Sequence, residues 1–202
     1  MHIIERPVRS VQEQIVDTLR AEVLTGTWGN AAPVREQALA ERFGVSRGPI
    51  RDALRQLSRE GVLVYRQNKG VRVNSPPSES ERQLLQSMRR EMEIFCIRQC
   101  IDQLTESDDE QLEGILAELA RACKRRDLST IADCDLALHR YLVRCASSEL
   151  EAVWQSITSR LLMDYSRIDR FHEIVAEHEA IVAAVKKRDL NTAKKAMYAN
   201  II

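Results

Sequence analysis

The sequence predicts a mainly α protein in two domains: an N-terminal winged helix-turn-helix of three helices plus a β-hairpin, then a C-terminal all-α antiparallel helical bundle. Three observations carry this reading. Apolar residues recur every three or four positions along most of the chain, residues 62–73 switch to β-branched residues around a polar turn, and beyond Ser78 the only glycine or proline is Gly114. Between the halves lies "NSPPSESER", residues 74–82, with two prolines, three serines and no large apolar residue. The boundaries read as residues 1–75 for the first domain, 76–82 for a linker and 83–202 for the bundle.

In "SVQEQIVDTLRAEVLTG", Val11, Ile15, Leu19 and Val23 fall at i, i+4 spacing, which predicts an amphipathic helix closing near Gly26. "REQALAERF" supplies a second short helix and "SRGPIRDALRQLSREG" a third, separated by a sharp turn at Gly44-Val45. Ser46 is expected to cap the third helix, Pro49 lies in its first turn where a missing N–H is tolerated, and Ile50, Leu54 and Leu57 form its core face. "VLVYRQNKGVRV" then reads as a two-stranded hairpin around "RQNKG".

The remaining segments are helical near 79–104, 107–125, 128–146, 149–166, 169–187 and 190–202, broken at "TESDD", "RRDLS", "ASSE", "SRID" and "KRDLN". Asp and Ser at such breaks suit helix N-caps, because their oxygens accept from the free amides of the next first turn. Short connections between long helices imply antiparallel neighbours. "RRDLSTIADC" and "KRDLNTAKKA" read as two similar corners rather than a repeat.

The chain is 44% apolar and 30% charged with net charge zero, enough for real cores in both domains. That zero hides an asymmetry: residues 1–75 carry 12 Lys and Arg against 8 Asp and Glu, and the rest 18 against 22, so the first half suits a polyanion. No apolar run approaches the roughly 20 residues of a membrane span, and "MHIIERPVRSVQEQI" lacks a signal peptide's apolar core, which predicts a cytoplasmic protein. Cys96, Cys100, Cys123, Cys134 and Cys145 are odd in number and form no CxxC, as expected of reduced thiols buried in helices.

Arg47, Arg51, Arg55 and Arg59 recur every four residues along the third helix. The major groove admits such a helix, and arginine bidentate to guanine is the commonest specific pairing, so Arg47 and Arg51 at the leading end are the candidates for base contact. Ser46 offers a hydroxyl and an amide to phosphate at the helix N-terminus. Arg55 and Arg59 either meet phosphate or pair with Asp52 or Glu60 on a solvated face. Lys69 and Gly70 form the wing tip, and Arg35 belongs to the same surface. "EQALAERFGVSRGPIRDALRQLSREGVL" followed by "KGVRV" resembles the DNA-binding domain of the GntR family of bacterial transcriptional regulators, and the second half resembles the FadR-type FCD effector domain. The resemblance implies a homodimer on palindromic double-stranded operator DNA, with the positions of Arg35, Arg47, Arg51 and Gly70 serving DNA binding.

In "DCDLALHRYL", Asp135 and His139 lie four apart, so a helix projects both from one face, a spacing suited to two ligands of one metal ion; His178 in "VAEHEAI" lies on a later helix. A solvated or mutually paired Asp and His is the bland reading. The FCD resemblance implies that these three join a fourth ligand to hold a divalent cation such as zinc, nickel or manganese, usually beside the effector. At the fourth position this chain has Asn200 in "MYANII" instead of histidine. Arg89 matches a family arginine that often faces the effector, and Arg160 is a looser candidate; a guanidinium suits a small carboxylate. For Arg89 the alternative is a surface salt bridge with Glu93. Trp154, Tyr165 and Phe171 read as core or dimer-interface residues, and His172 and His178 face apart on one straight helix. The reading is therefore a regulator, not an enzyme, sensing a small organic acid. Two rivals are a constitutive regulator whose second half only dimerises and a metal-dependent hydrolase built on Asp135, His139 and His178, which lacks a motif-placed general base.

Overall fold

Helix α1 (Val11–Leu24) opens with a reciprocal cap, in which the Glu13 amide donates to Ser10 Oγ and the Ser10 amide donates to the Glu13 carboxylate. Ile15, Leu19 and Val23 are buried as their spacing predicts, whereas Val11, in the first turn beyond the reach of the core, is exposed. Helix α2 (Glu36–Phe43) ends at Gly44, whose φ of +64° is left-handed backbone that glycine enters without a Cβ clash. That turn redirects the chain into α3 (Arg47–Arg59), which buries Ile50, Ala53, Leu54 and Leu57 against α1 and α2. Strands β1 (Leu63–Arg66) and β2 (Gly70–Val73) pair antiparallel, Leu63 opposite Val73 and Arg66 opposite Gly70. Asn68 at φ +61° and Gly70 at φ +69° make the tight turn between them. This is the winged helix-turn-helix.

The computed structural model, which describes residues 10–163 and 171–201, falls into two compact units, Met1–Ser75 and Pro76–Ile202. Tyr165 and the side chains of Phe171 and His172 lie outside the described residues. The second unit begins with α4 (Glu79–Cys100), capped reciprocally by Ser78 and Glu81, so the connection narrows to Pro76–Ser78. A single 3-10 turn over Ile101–Gln103 follows. Then come α5 (Glu106–Arg125), α6 (Leu128–Ala146), α7 (Ser148–Leu161), α8 (Phe171–Lys186) and α9 (Leu190–Asn200). Thr105, Asp127, Ser147 and Asp189 cap α5, α6, α7 and α9 at the predicted breaks. The two similar corners are one device used twice: Arg126 and Arg188 both take φ +55°, and the aspartate after each accepts from the amide and hydroxyl of Thr130 or Thr192. The main core runs through Ile97, Leu112, Leu138, Leu142, Ile181, Val185 and Met197. Four cysteines are buried and unbridged, but Cys145, at the solvent edge of the last turn of α6, is exposed, contrary to expectation. Among the described residues no helix is long and apolar enough to cross a membrane.

One ion pair in the first unit is not on the surface where sequence spacing put it. Glu60, offered above as a solvated partner for the α3 arginines, is buried and held bidentate by Arg20 of α1, Nε to Oε2 at 2.9 Å and Nη2 to Oε1 at 2.8 Å. Arg55 pairs with Asp52 at 3.4 Å on the exposed face instead. Removing one member of a buried pair strands the other charge away from water. Glu60→Ala is therefore expected to destabilise the first unit by about 3 kcal/mol, read as a lowered midpoint in urea denaturation of the whole chain.

Candidate functional site

In the first unit, Arg47, Arg51, Arg55 and Arg59 are all exposed along α3, with Arg35 at the head of α2 and Lys69 at the wing tip also exposed. Their ties are weak ones: Arg47 Nη2 donates to Gln37 Oε1 at 2.8 Å, and Arg51 reaches Glu36 at 3.2 and 3.4 Å. Such solvent-screened contacts exchange readily for a phosphate or a base edge.

The N-termini of α2 and α3 differ from the others described. Ser10, Ser78, Thr105, Asp127, Ser147 and Asp189 cap their helices through side chains, whereas Arg35 and Ser46 make no capping hydrogen bond. For Arg35 the reason is that a guanidinium has no acceptor. Ser46 corrects the sequence reading: its backbone has cap geometry, φ −68° and ψ 166°, but the third residue after it is Pro49, which lacks the N–H that a capping hydroxyl takes. The Ser46 hydroxyl and the remaining first-turn amides of α3 are thereby left for another partner, and a helix N-terminus favours an anion.

In the second unit, α6 supplies Asp135 and His139 and α8 supplies His178, all buried, with one ligand atom of each within 4.8 Å of the others. The histidine rings meet edge to face, centroids 5.4 Å apart. His178 Nδ1 donates to the Ile174 carbonyl at 2.7 Å, and His139 Nδ1 donates to Glu93 Oε2 at 2.5 Å. With Nδ1 carrying the proton in both rings, each Nε2 presents its lone pair, and both Nε2 atoms are buried without a hydrogen-bond partner. His178 Nε2 lies 3.0 Å from Asp135 Oδ1, at ion-pair distance but off hydrogen-bond direction. Two orphaned imidazole nitrogens beside a carboxylate form a donor set that fits a divalent cation.

Glu93 was not singled out as a site residue, yet it organises this centre. Its Oε1 accepts from Arg89 Nε at 2.7 Å and from Trp154 Nε1 at 2.5 Å, while Oε2 holds His139. Burial pushes its pKa up, but the charges of His139 and Arg89 and these hydrogen bonds bring it down to about 2. Asp135 behaves alike: burial opposes its charge, and His178, His139 and Arg89 hold the carboxyl well below the usual range. His178 is pushed down by burial and raised more by Asp135, so its Nε2 is the atom for which a proton and a metal compete. The signal for Glu93 was its place on the core face of α4 with Cys96, Ile97 and Cys100.

The Arg89–Glu93 pair thus exists, but it is buried rather than on the surface. Trp154 is fully buried as a core residue and also donates to Glu93. Arg160 is not drawn into the cluster: its Nη1 lies 3.0 Å from Met163 Sδ, burial lowers its pKa, and it feels the charge of Glu81 in the first turn of α4. Asn200 gives its amide N–H to Glu177 Oε2 at 3.1 Å, beside the cluster.

The family model for bacterial regulatory proteins of the gntR family matches residues 11–73, and that for the FCD domain matches residues 84–201. The HTH-type transcriptional repressor RspR of Escherichia coli (strain K12) is 27% identical over 198 residues, covering 95% of this chain and 86% of that protein. The gluconate operon transcriptional repressor of Bacillus licheniformis is 25% identical over 90% of this chain and 78% of its own length. Among solved structures, E. coli McbR/YncC has the same fold, with a TM-score of 0.81 at 19% identity, covering 96% of this chain and 94% of that one. A putative transcriptional regulator GntR from Rhodococcus sp. RHA1 superposes with a TM-score of 0.74 at 18% identity, covering 96% and 94%. Winged helix and helical bundle together, the chain belongs to the GntR family of bacterial regulatory proteins, as a DNA-binding transcriptional regulator that carries an FCD domain.

Proposed function

We propose that this regulator is ligand-responsive: in the cytoplasm, as a homodimer, it reads the two halves of a palindromic operator and senses a small carboxylate beside a divalent metal ion. The observation that carries the sensing half is the pair of buried, unpartnered Nε2 atoms of His139 and His178 facing Asp135. An FCD domain that only dimerised would have no use for two such desolvated donors, whose burial unpaired is costly. Membership of a family of regulatory proteins sets the hydrolase reading aside.

On the DNA side, Arg47 and Arg51 reach base edges from the leading end of α3. Ser46, Arg35 and the uncapped amides meet phosphates, and Lys69 and Gly70 bring the wing to the backbone or minor groove. In the bundle, Asp135, His139 and His178 hold zinc, nickel or manganese, and the metal supplies a cationic centre with open coordination positions. Charge supports a carboxylate as effector. Among the described residues of the bundle, the ionised Asp135 and Glu93 outnumber the buried cation Arg89, a divalent ion reverses that balance, and one carboxylate restores neutrality. Thr158, fully buried one turn beyond Trp154 with an unpartnered hydroxyl, supports a polar guest.

Two measurements test the two halves. Adding a divalent metal and then a small carboxylate to chelator-treated protein is expected to raise the melting temperature stepwise, with about 2.7 kcal/mol of stabilisation at a hundredfold excess over Kd. Asp135→Ala should abolish the metal step and the metal found by elemental analysis. If neither addition moves the wild-type midpoint, the constitutive reading takes over. In operator titrations against random DNA, Arg47→Ala is expected to lose about 1 to 3 kcal/mol of discrimination while retaining non-specific binding.

A further inference from the structure

Helix α4 has a second face that the described residues leave exposed. Its inner face, Arg89, Glu93, Cys96, Ile97 and Cys100, is buried in the bundle. On the opposite side Leu84, Met88 and Phe95 are 61%, 44% and 47% exposed, three of the large apolar side chains that the described residues leave in solvent. With the exposed Glu81, Glu91 and Arg98 they form the series 81, 84, 88, 91, 95, 98, stepping by three and four in turn. That is the heptad spacing of a helix seam, not of a solvated face.

The series is also self-complementary. Turned antiparallel on itself about a twofold axis between positions 89 and 90, it sets Leu84 opposite Phe95, Met88 opposite Glu91 and Glu81 opposite Arg98, each pair occurring twice. Apolar meets apolar at Leu84–Phe95 and anion meets cation at Glu81–Arg98, as an isologous contact requires, while nearest the axis Met88 faces Glu91. A parallel pairing would set Glu81 on Glu81 and Arg98 on Arg98. Glu81 spends Oε2 on its capping box with Ser78 and is itself exposed, at the rim of the seam. The helix offers about 33 Å of length for the seam, and exposed Val153 of α7, which packs against α4, widens it.

We infer that the outward face of α4 is the seam at which two copies of this chain associate, antiparallel, with Leu84 against Phe95 of the second copy. This rests on the homodimer reading above and specifies its surface and register.

The test uses sedimentation velocity of the full chain across micromolar concentrations. Leu84→Lys and Phe95→Glu, each alone, set a charge against an apolar side chain and are expected to weaken the dimer by about 100-fold or more. Combined in one chain, they place opposite charges face to face at both ends of the seam, and dimerisation returns. Gln83→Lys, off the seam, leaves the dimer unchanged, and circular dichroism confirms that every variant is folded. Single variants that stay dimeric overturn the proposal while leaving the homodimer intact, with its contact elsewhere. Singles that dissociate and a double that does not recover overturn the antiparallel register. A wild type that is monomeric throughout overturns the homodimer itself.

Discussion

A carboxylate removed from water needs a donor for each of its lone pairs that would otherwise be solvated, and Glu93 obtains three from three directions. Arg89 lies on its own helix, His139 on α6 and Trp154 on α7, so one side chain ties three helices of the second unit together. The tie sets chemistry as well as packing. An ionised Glu93 can only accept, so His139 must carry its proton on Nδ1 and turn Nε2 toward Asp135 and His178. Had Glu93 been apolar, His139 would be free to present either tautomer, and a metal would have to select one at a cost in affinity. The centre is therefore organised before any ligand arrives, and its organiser holds His139 through Nδ1, leaving Nε2 to face Asp135 and His178.

The sequence revealed this in unequal measure. Asp135 and His139 were legible because i, i+4 spacing guarantees one face of one helix, and the helix corners because an Asp or Thr cap with an oxygen three residues on is a local device. His178 needed the family resemblance to connect it, since contact between α6 and α8 is tertiary. Glu93 was read only as the partner of Arg89, and on the surface, because spacing gives a pair's existence but not its burial. The same limit hid Glu60, which looked like a solvated end of the arginine ladder and is the buried partner of Arg20, 40 residues away. Its surroundings carried the missing information: both glutamates fall on the apolar stripe of their helices.

Ser46 shows the opposite case, a local rule overridden by another local rule. Serine before a helix normally caps it, and Pro49 removes the donor on which that cap depends. The consequence is a helix-turn-helix whose two helices begin with uncommitted amides, while α1, α4, α5, α6, α7 and α9 are each capped by a side chain. Stability is forgone where an anion can supply it, and the same residues that leave the termini open stand beside the exposed arginines of α3. A cap worth about 1 kcal/mol in an ordinary helix is a small sacrifice against the charge-assisted bonds that a phosphate makes there.

In the second unit a single helix has two charged assignments. The inner face of α4 holds Arg89 and Glu93, and its outer face is the seam proposed between copies. A ligand that draws Arg89 toward itself competes with Glu93 for that guanidinium, and through Glu93 with the orientation of His139. The next residue along the helix, Arg90, donates to the Ile201 carbonyl at 3.1 Å through Nε and stacks over Tyr198 at 4.2 Å, so the middle of α4 beside Arg89 is also tied to the end of α9. In the proposed dimer, a displacement of α4 would reach the seam as a change in the angle or register of one antiparallel pair, doubled by its symmetry. Linkage makes the relation reciprocal: whatever effector binding does to the affinity between copies, association of the copies must do to the affinity for effector.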